Sequence, residues 1–230
     1  MAACALNASD SKLFYLLTRS VKGVTVNVKL ISAAIVLFCT SCAGATNTVF
    51  AQQSTKTAAN LPASTRLALP GEQHRWLNPL VGTWAVEMLV WPAPGATPIV
   101  SKDLAATRSW TLGGRYLREE LTGSFAGSPS ERIAFLSYNN LEERFEMVTI
   151  DTFEPGQMWY VSQGKGSPSK LELMGENVEA GFGDKPTGRK RLLRFEFEIL
   201  ADRSIERIFV KYPGEKEYLF VEQKFTRARQ

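Results

Sequence analysis

Few side chains in this sequence are of a type and spacing that could do chemistry. His74 is the only histidine, Glu119 and Glu120 are adjacent, and Asp151 and Glu154 stand close together near a proline. Acid–base work needs carboxylates that face one substrate. Neighbours on a strand point to opposite faces, so Glu119 and Glu120 cannot share a cavity. Asp151 ends an apolar run and suits the role of fixing the turn before Pro155. A zinc site needs three or four N, S or O ligands. All three cysteines, Cys4, Cys39 and Cys42, lie near the N-terminus, so one histidine and a cysteine-free body give no metal centre. No Gly-x-Ser-x-Gly elbow is present, and "GFGDKPTG" (181–188) lacks the strand-to-helix setting of a phosphate-cradling loop. No catalytic residue and no cofactor are assigned.

Those residues sit in a chain of short strands. From residue 83 onward, runs rich in β-branched and aromatic residues cover 83–91, 99–111, 115–122, 131–138, 144–151, 157–163, 170–175, 191–200, 204–212 and 217–227. The links carry Gly, Pro, Asn and Asp, which supply the backbone angles that reversals need. "RFEMVTI" and "RFEFEIL" alternate apolar with polar, the mark of a strand with one wet face. Ten strands with local links and no intervening helix predict an all-β, antiparallel up-and-down order. Closure into a barrel removes the open edges. About ten strands enclose more space than packed side chains need. Alternation puts Trp84, Val86 and Met88 on the inner face of the first strand, Ile133 and Phe135 on the fourth, and Phe145, Met147 and Thr149 on the fifth. A short helical turn over "GEQHRWLNPL" precedes the first strand as a plug.

The net charge of +4 does not make the body basic. Residues 1–51 hold four of the 27 basic and one of the 23 acidic side chains, leaving 23 against 22 in the remainder. That balance argues against a nucleic-acid partner. The run "GRKRLLR" (188–194) reads as a solvated hairpin shoulder that discourages edge pairing.

Residues 1–51 read as an export leader: Lys22 and Lys29, then the apolar run Leu30 to Phe38, then small residues. The run is far shorter than the roughly 20 residues of a membrane-spanning helix. Two processing routes stay open. "CTSC" followed by Ala43-Gly44 resembles a bacterial lipobox with Cys42 lipidated, although Cys39 stands where Leu or Val is usual. The alternative is ordinary cleavage after Val49 to Ala51. Residues 1–20 precede what a leader normally contains, which suggests a start at Val24 or Val26. Residues 52–70 read as a flexible tether, and 71–230 as the barrel domain. Export would place the protein in the periplasm, or on the outer membrane if Cys42 is lipidated, its only link to a membrane.

Gly82-x-Trp84 after a helical turn resembles the signature of the calycins, the lipocalin and fatty-acid-binding-protein superfamily. The resemblance implies that Trp84 plugs the closed end and that a cation from the last strand covers its ring. Arg227 stands in the matching place, with Lys224 and Arg229 as alternates. Gly82 would admit close backbone approach, and His74 would be a hydrogen-bonded part of the plug. "EQHRWLNPLVGTW", "LGGRYLREELTGSFAG", "SYNNLEERFEMVTID" and the final "EQKFTR" are similar to a bacterial family of uncharacterised function with lipocalin-like barrels. Ser137 replaces that family's usual Gly, and Thr149 stands where a Trp is common. The inner face given by alternation, mostly apolar with a few hydroxyls, suits a small hydrophobic or amphipathic ligand in the cell envelope, with Trp84, Met88, Phe135, Met147 and Thr149 as binding candidates. Alternatives are an enzyme inside the barrel (isomerase, cyclase or hydrolase), a haem-binding barrel through His74, and an interaction module with an outer apolar patch starting at Leu89 and Trp91.

Overall fold

A computed structural model describes residues 60–181 and 186–228. The leader, the three cysteines, tether residues 52–59 and Arg229 lie outside the described residues. Ten antiparallel strands form one closed barrel: β1 (Gly82–Val90), β2 (Ile99–Thr111), β3 (Tyr116–Phe125), β4 (Ser128–Asn139), β5 (Arg144–Asp151), β6 (Met158–Ser162), β7 (Lys170–Val178), β8 (Lys190–Ile199), β9 (Arg203–Lys211) and β10 (Tyr218–Arg227). Each strand pairs with its sequence neighbour, and β1 pairs with β10 to close the ring. The bounds of β2 and β5 coincide with the sequence expectation. The tether ends sooner than expected, because Ala63–Leu67 forms a short helix, α1. The Asn140 side chain holds its end by donating to the carbonyls of Leu67 and Leu69, both at 2.8 Å.

The closed end is built from α2 (Glu72–Arg75), a 3-10 turn (Asn78–Leu80) and the first residues of β1. Leu77 and Leu80 are fully buried and join the larger apolar cluster, which includes Phe145, Tyr160, Phe195 and Val210. His74 is buried; its Nδ1 accepts the Gly71 N–H at 2.9 Å and its ring meets Tyr138 edge-on. Burial, with Arg115 and Arg75 nearby, pushes its pKa below the ordinary value, so the imidazole stays neutral and keeps accepting that bond.

Trp84 has no exposed surface, and its Nε1–H donates to the Leu80 carbonyl at 2.9 Å. Arg227 lies directly opposite it in register, its guanidinium carbon 4.5 Å from the ring centroid. The same guanidinium donates to the carbonyls of Pro79 at 2.7 Å, Val81 at 3.0 Å and Ala201 at 3.3 Å. One side chain thus ties the last strand to the plug, the first strand and the β8–β9 turn. Gly82 is required here twice over: its φ is +134°, and a Cβ would come within 2.7 Å of Arg227 Nη1. Replacing Arg227 with Ala removes the cation over the indole and leaves three carbonyls to water. We expect R227A to lower unfolding free energy by about 1–2 kcal/mol in urea titration. An unchanged midpoint would show that the cap contributes nothing.

Candidate functional site

Inside the barrel the alternation turns charged residues inward. Leu117, Glu119 and Leu121 share the inner face of β3, and Leu104, Ala106 and Arg108 that of β2. Arg108 and Glu119 are directly opposite in register, and Arg108 Nε donates to Glu119 Oε2 at 2.7 Å. Its terminal nitrogens reach across the interior to β9, Nη1 to Ser204 Oγ at 3.2 Å and Nη2 to Glu206 Oε1. Arg132 on β4 donates to Glu119 Oε1 from Nε at 2.9 Å and Nη2 at 2.6 Å, and from Nη1 to Gln223 Oε1 at 2.9 Å. Gln223 Nε2 in turn points at Met88 Sδ, 3.2 Å away. The Arg108 guanidinium also rests on Phe225, 3.9 Å from its centroid, and lies 5.9 Å from the Trp84 ring.

This layer holds two cations and two anions, so its formal charge is zero. Burial alone would raise the Glu119 carboxyl, but Arg132 and Arg108, through charge and hydrogen bonds, outweigh it and hold the pKa down to about 2. Burial wins at Glu206, whose pKa is raised despite Arg108, with Glu119 repelling its charge. The two carboxylates therefore respond to pH in opposite ways.

A small cavity of about 20 Å³ touches this layer, lined by Arg108, Glu119, Glu206, Met147 and Thr149. Thr149 Oγ1 is the one buried side-chain polar atom without a partner among the described residues. The space exceeds the roughly 10–15 Å³ that a water needs, but Leu117, Ala134, Leu136, Phe195 and Phe197 make most of its wall apolar.

A larger cavity of about 220 Å³ lies beyond the layer, toward the strand ends remote from Gly82. Met88, Val90, Leu121, Phe125, Ile208 and Val221 give it apolar walls, with Arg132 and Gln223 reaching it from the charged layer. Its other side carries Tyr160, Asp151, Glu154, Glu179 and Arg191. Arg191 is buried and donates to Asn177 Oδ1 at 2.8 Å and Glu154 Oε1 at 2.5 Å, with Glu179 Oε2 3.5 Å away. Burial raises the Glu154 pKa against the pull of Arg191. Asp151 Oδ1 accepts the N–H groups of Phe153 and Glu154, both at 2.9 Å, and so fixes the turn as its position implied.

The structure sorts the expected site residues into three places. Met88 lines the larger cavity, whereas Met147 and Thr149 line the small one. Trp84, Gly82, His74 and Arg227 all stand at the closed end; Trp84 lines neither cavity. Phe135 corrects the reading of β4. The inner face of that strand is Ser130, Arg132, Ala134, Leu136 and Tyr138, which leaves Ile133 and Phe135 on the outer wall. The misreading assumed that apolar residues point inward, but Arg132 and Ser130 take that face because the charged layer and cavity need them. Arg191 corrects the solvated-shoulder reading of the basic run in the same way. On the outer wall Leu89 and Trp91 are half-buried, while Ile133 and Ile150, opposed in register, and Trp159 are exposed. Sequence reasoning missed Arg108, Arg132, Glu206, Arg191 and Gln223. Only Gln223 carried an available signal, a polar residue flanked two positions away by the large apolar Val221 and Phe225; Arg108, Arg132, Glu206 and Arg191 have a small or polar residue on at least one side.

A closed ten-stranded antiparallel barrel with a charged inner layer and a chamber above it defines the class. The chain belongs to the family described as "Protein of unknown function (DUF1579)", whose model matches residues 69–227. No curated protein matches it. Among solved structures it is similar to "Crystal Structure of Rv2717c from M. tuberculosis", at 16% identity and a TM-score of 0.51, covering 69% of this chain and 99% of that one. That likeness is one of fold.

The opposite pKa shifts make a test. The folded Glu119 pKa lies below its ordinary 4.5, so its contribution is full above 4.5 and fades as pH falls toward about 2. The raised Glu206 pKa has the reverse sign, so ionised Glu206 costs stability near neutrality. We expect E119Q to lose about 3 kcal/mol at pH 7, less at pH 3, and E206Q to lose distinctly less than E119Q at pH 7. Equal losses in urea titrations would contradict this division of roles.

Proposed function

We propose that this protein is an exported envelope barrel that binds a small amphipathic molecule in the larger cavity. The observation that carries the reading is the cavity itself: apolar walls on one side, a fixed polar floor and one polar flank, all preformed. Binding sites of this kind take most of their energy from apolar burial and their orientation from a few polar groups. The volume of about 220 Å³ equals roughly seven waters of the liquid, and it falls below the ~300 Å³ at which drug-sized sites begin. It suits a molecule with a short chain and one polar end rather than a macrocycle. His74 lines neither cavity, which weighs against haem.

The enzyme reading has Glu154 in its favour, a carboxylate with a raised pKa at the cavity. Both of its oxygens are engaged, Oε1 by Arg191 and Oε2 by Asn177 at 3.3 Å. It acts as an anchor for Arg191, which favours binding over catalysis.

Titration with 1-octanol tests the site through the methyl signals of Met88 and Met158. We expect saturable shifts of both in the mature protein. V221W fills the chamber and removes the shifts while leaving the thermal midpoint nearly unchanged. Shifts that survive the filled variant would place binding elsewhere and refute the reading. Export has its own test: intact-mass analysis should show a chain starting at a diacylglyceryl Cys42 or just after Ala51, and a species beginning near Met1 would exclude export.

A further inference from the structure

Hydrogen-bond bookkeeping around the larger cavity narrows the ligand. Arginine offers only donors and a carboxylate only acceptors. Both arginines that line the chamber have their terminal nitrogens engaged by the protein. Arg132 gives Nη1 to Gln223 and Nη2 to Glu119. Arg191 gives Nη2 to Glu154 and holds Nη1 against Glu179. Neither guanidinium presents a free fork to an incoming carboxylate.

The acidic side is not matched in this way. Asp151, Glu154 and Glu179 line the chamber against Arg132 and Arg191, and because Arg132 also neutralises the layer beneath, chamber and layer together hold five carboxylates against three arginines among the described residues. Asp151 uses only Oδ1 for the turn, and Oδ2 has no hydrogen-bond partner among the described residues. The Tyr160 hydroxyl, buried nearby, donates its hydrogen to the sulfur of Met158 at 3.5 Å, and its oxygen keeps lone pairs that can accept. Among the described residues the chamber is thus short of free donors and of positive charge, and a ligand bringing both would complete it.

We infer that the cavity selects an amphipathic amine: the ammonium group docks on Asp151 Oδ2, and the chain lies along Met88, Phe125, Ile208 and Val221. This rests on the binding reading above and specifies its ligand class. A carboxylate of the same length would face three carboxylates with no free arginine, so the barrel discriminates against fatty acids.

The test is a matched series of octylamine, 1-octanol and octanoate, titrated calorimetrically at pH 7 into the mature protein. Octylamine should bind at least about tenfold tighter than 1-octanol, the worth of one charge-assisted hydrogen bond, and octanoate weakest. D151N keeps Oδ1 and hence the turn; it should cut octylamine affinity about tenfold and so remove most of the preference for octylamine over 1-octanol. Octanoate binding as tightly as octylamine, or an octylamine affinity untouched by D151N, would overturn the inference while leaving the binding reading intact. Failure of all three probes to bind would sink both.

Discussion

The interior of this barrel is organised by one side chain, Arg108. It joins Glu119 on the neighbouring strand to Glu206 and Ser204 across the lumen, and it rests over the Phe225 ring near Trp84. A buried guanidinium is tolerated only when charge and hydrogen bonds both compensate its lost hydration. Here the charge and hydrogen-bond partners come from two other strands, β3 and β9, so the strands cannot shift relative to one another without exposing an unpaired charge. Arg132 extends the layer to Gln223, which lines the chamber. The charged layer therefore separates a packed closed end from a chamber that side chains leave open.

Two guanidiniums lie near Trp84. Arg227 covers the ring and fastens the chain ends together, while Arg108 stands further off on the lumen side. The first couples strand closure to the plug, and the second couples the plug to the polar layer. Stability and ligand shape are linked through this stack. The floor of the chamber is as rigid as the ion network beneath it, which is what orienting the polar end of a small molecule requires.

Much of the fold was legible because β-barrels write their architecture locally. Alternation and turn residues located all ten strands, and the calycin resemblance carried by Gly82, Trp84 and Arg227 pointed to the closed end. The site was less legible, since alternation gives parity but not sign. On β4 the apolar pair Ile133 and Phe135 mimicked an inner face, whereas the true inner face carries Arg132. Only the partners Glu119 and Gln223, distant in sequence, decide that parity. Arg191 was hidden in a basic run for the same reason, because Glu154 and Glu179 that hold it lie on other segments. Thr149, which stands where a Trp is common in the resembling family, lines the small cavity, and its Oγ1 is left without a partner among the described residues.

The most direct test of the central claim is a double-mutant cycle between Arg108 and Glu206, with R108M and E206L measured singly and together. If the two form a cross-lumen pair in a neutral layer, R108M alone should be costly, and adding E206L should recover stability. The coupling energy should be about 2–3 kcal/mol. Losses that simply add, to within about 0.5 kcal/mol, would mean that the two charges do not meet and that no such layer divides the barrel.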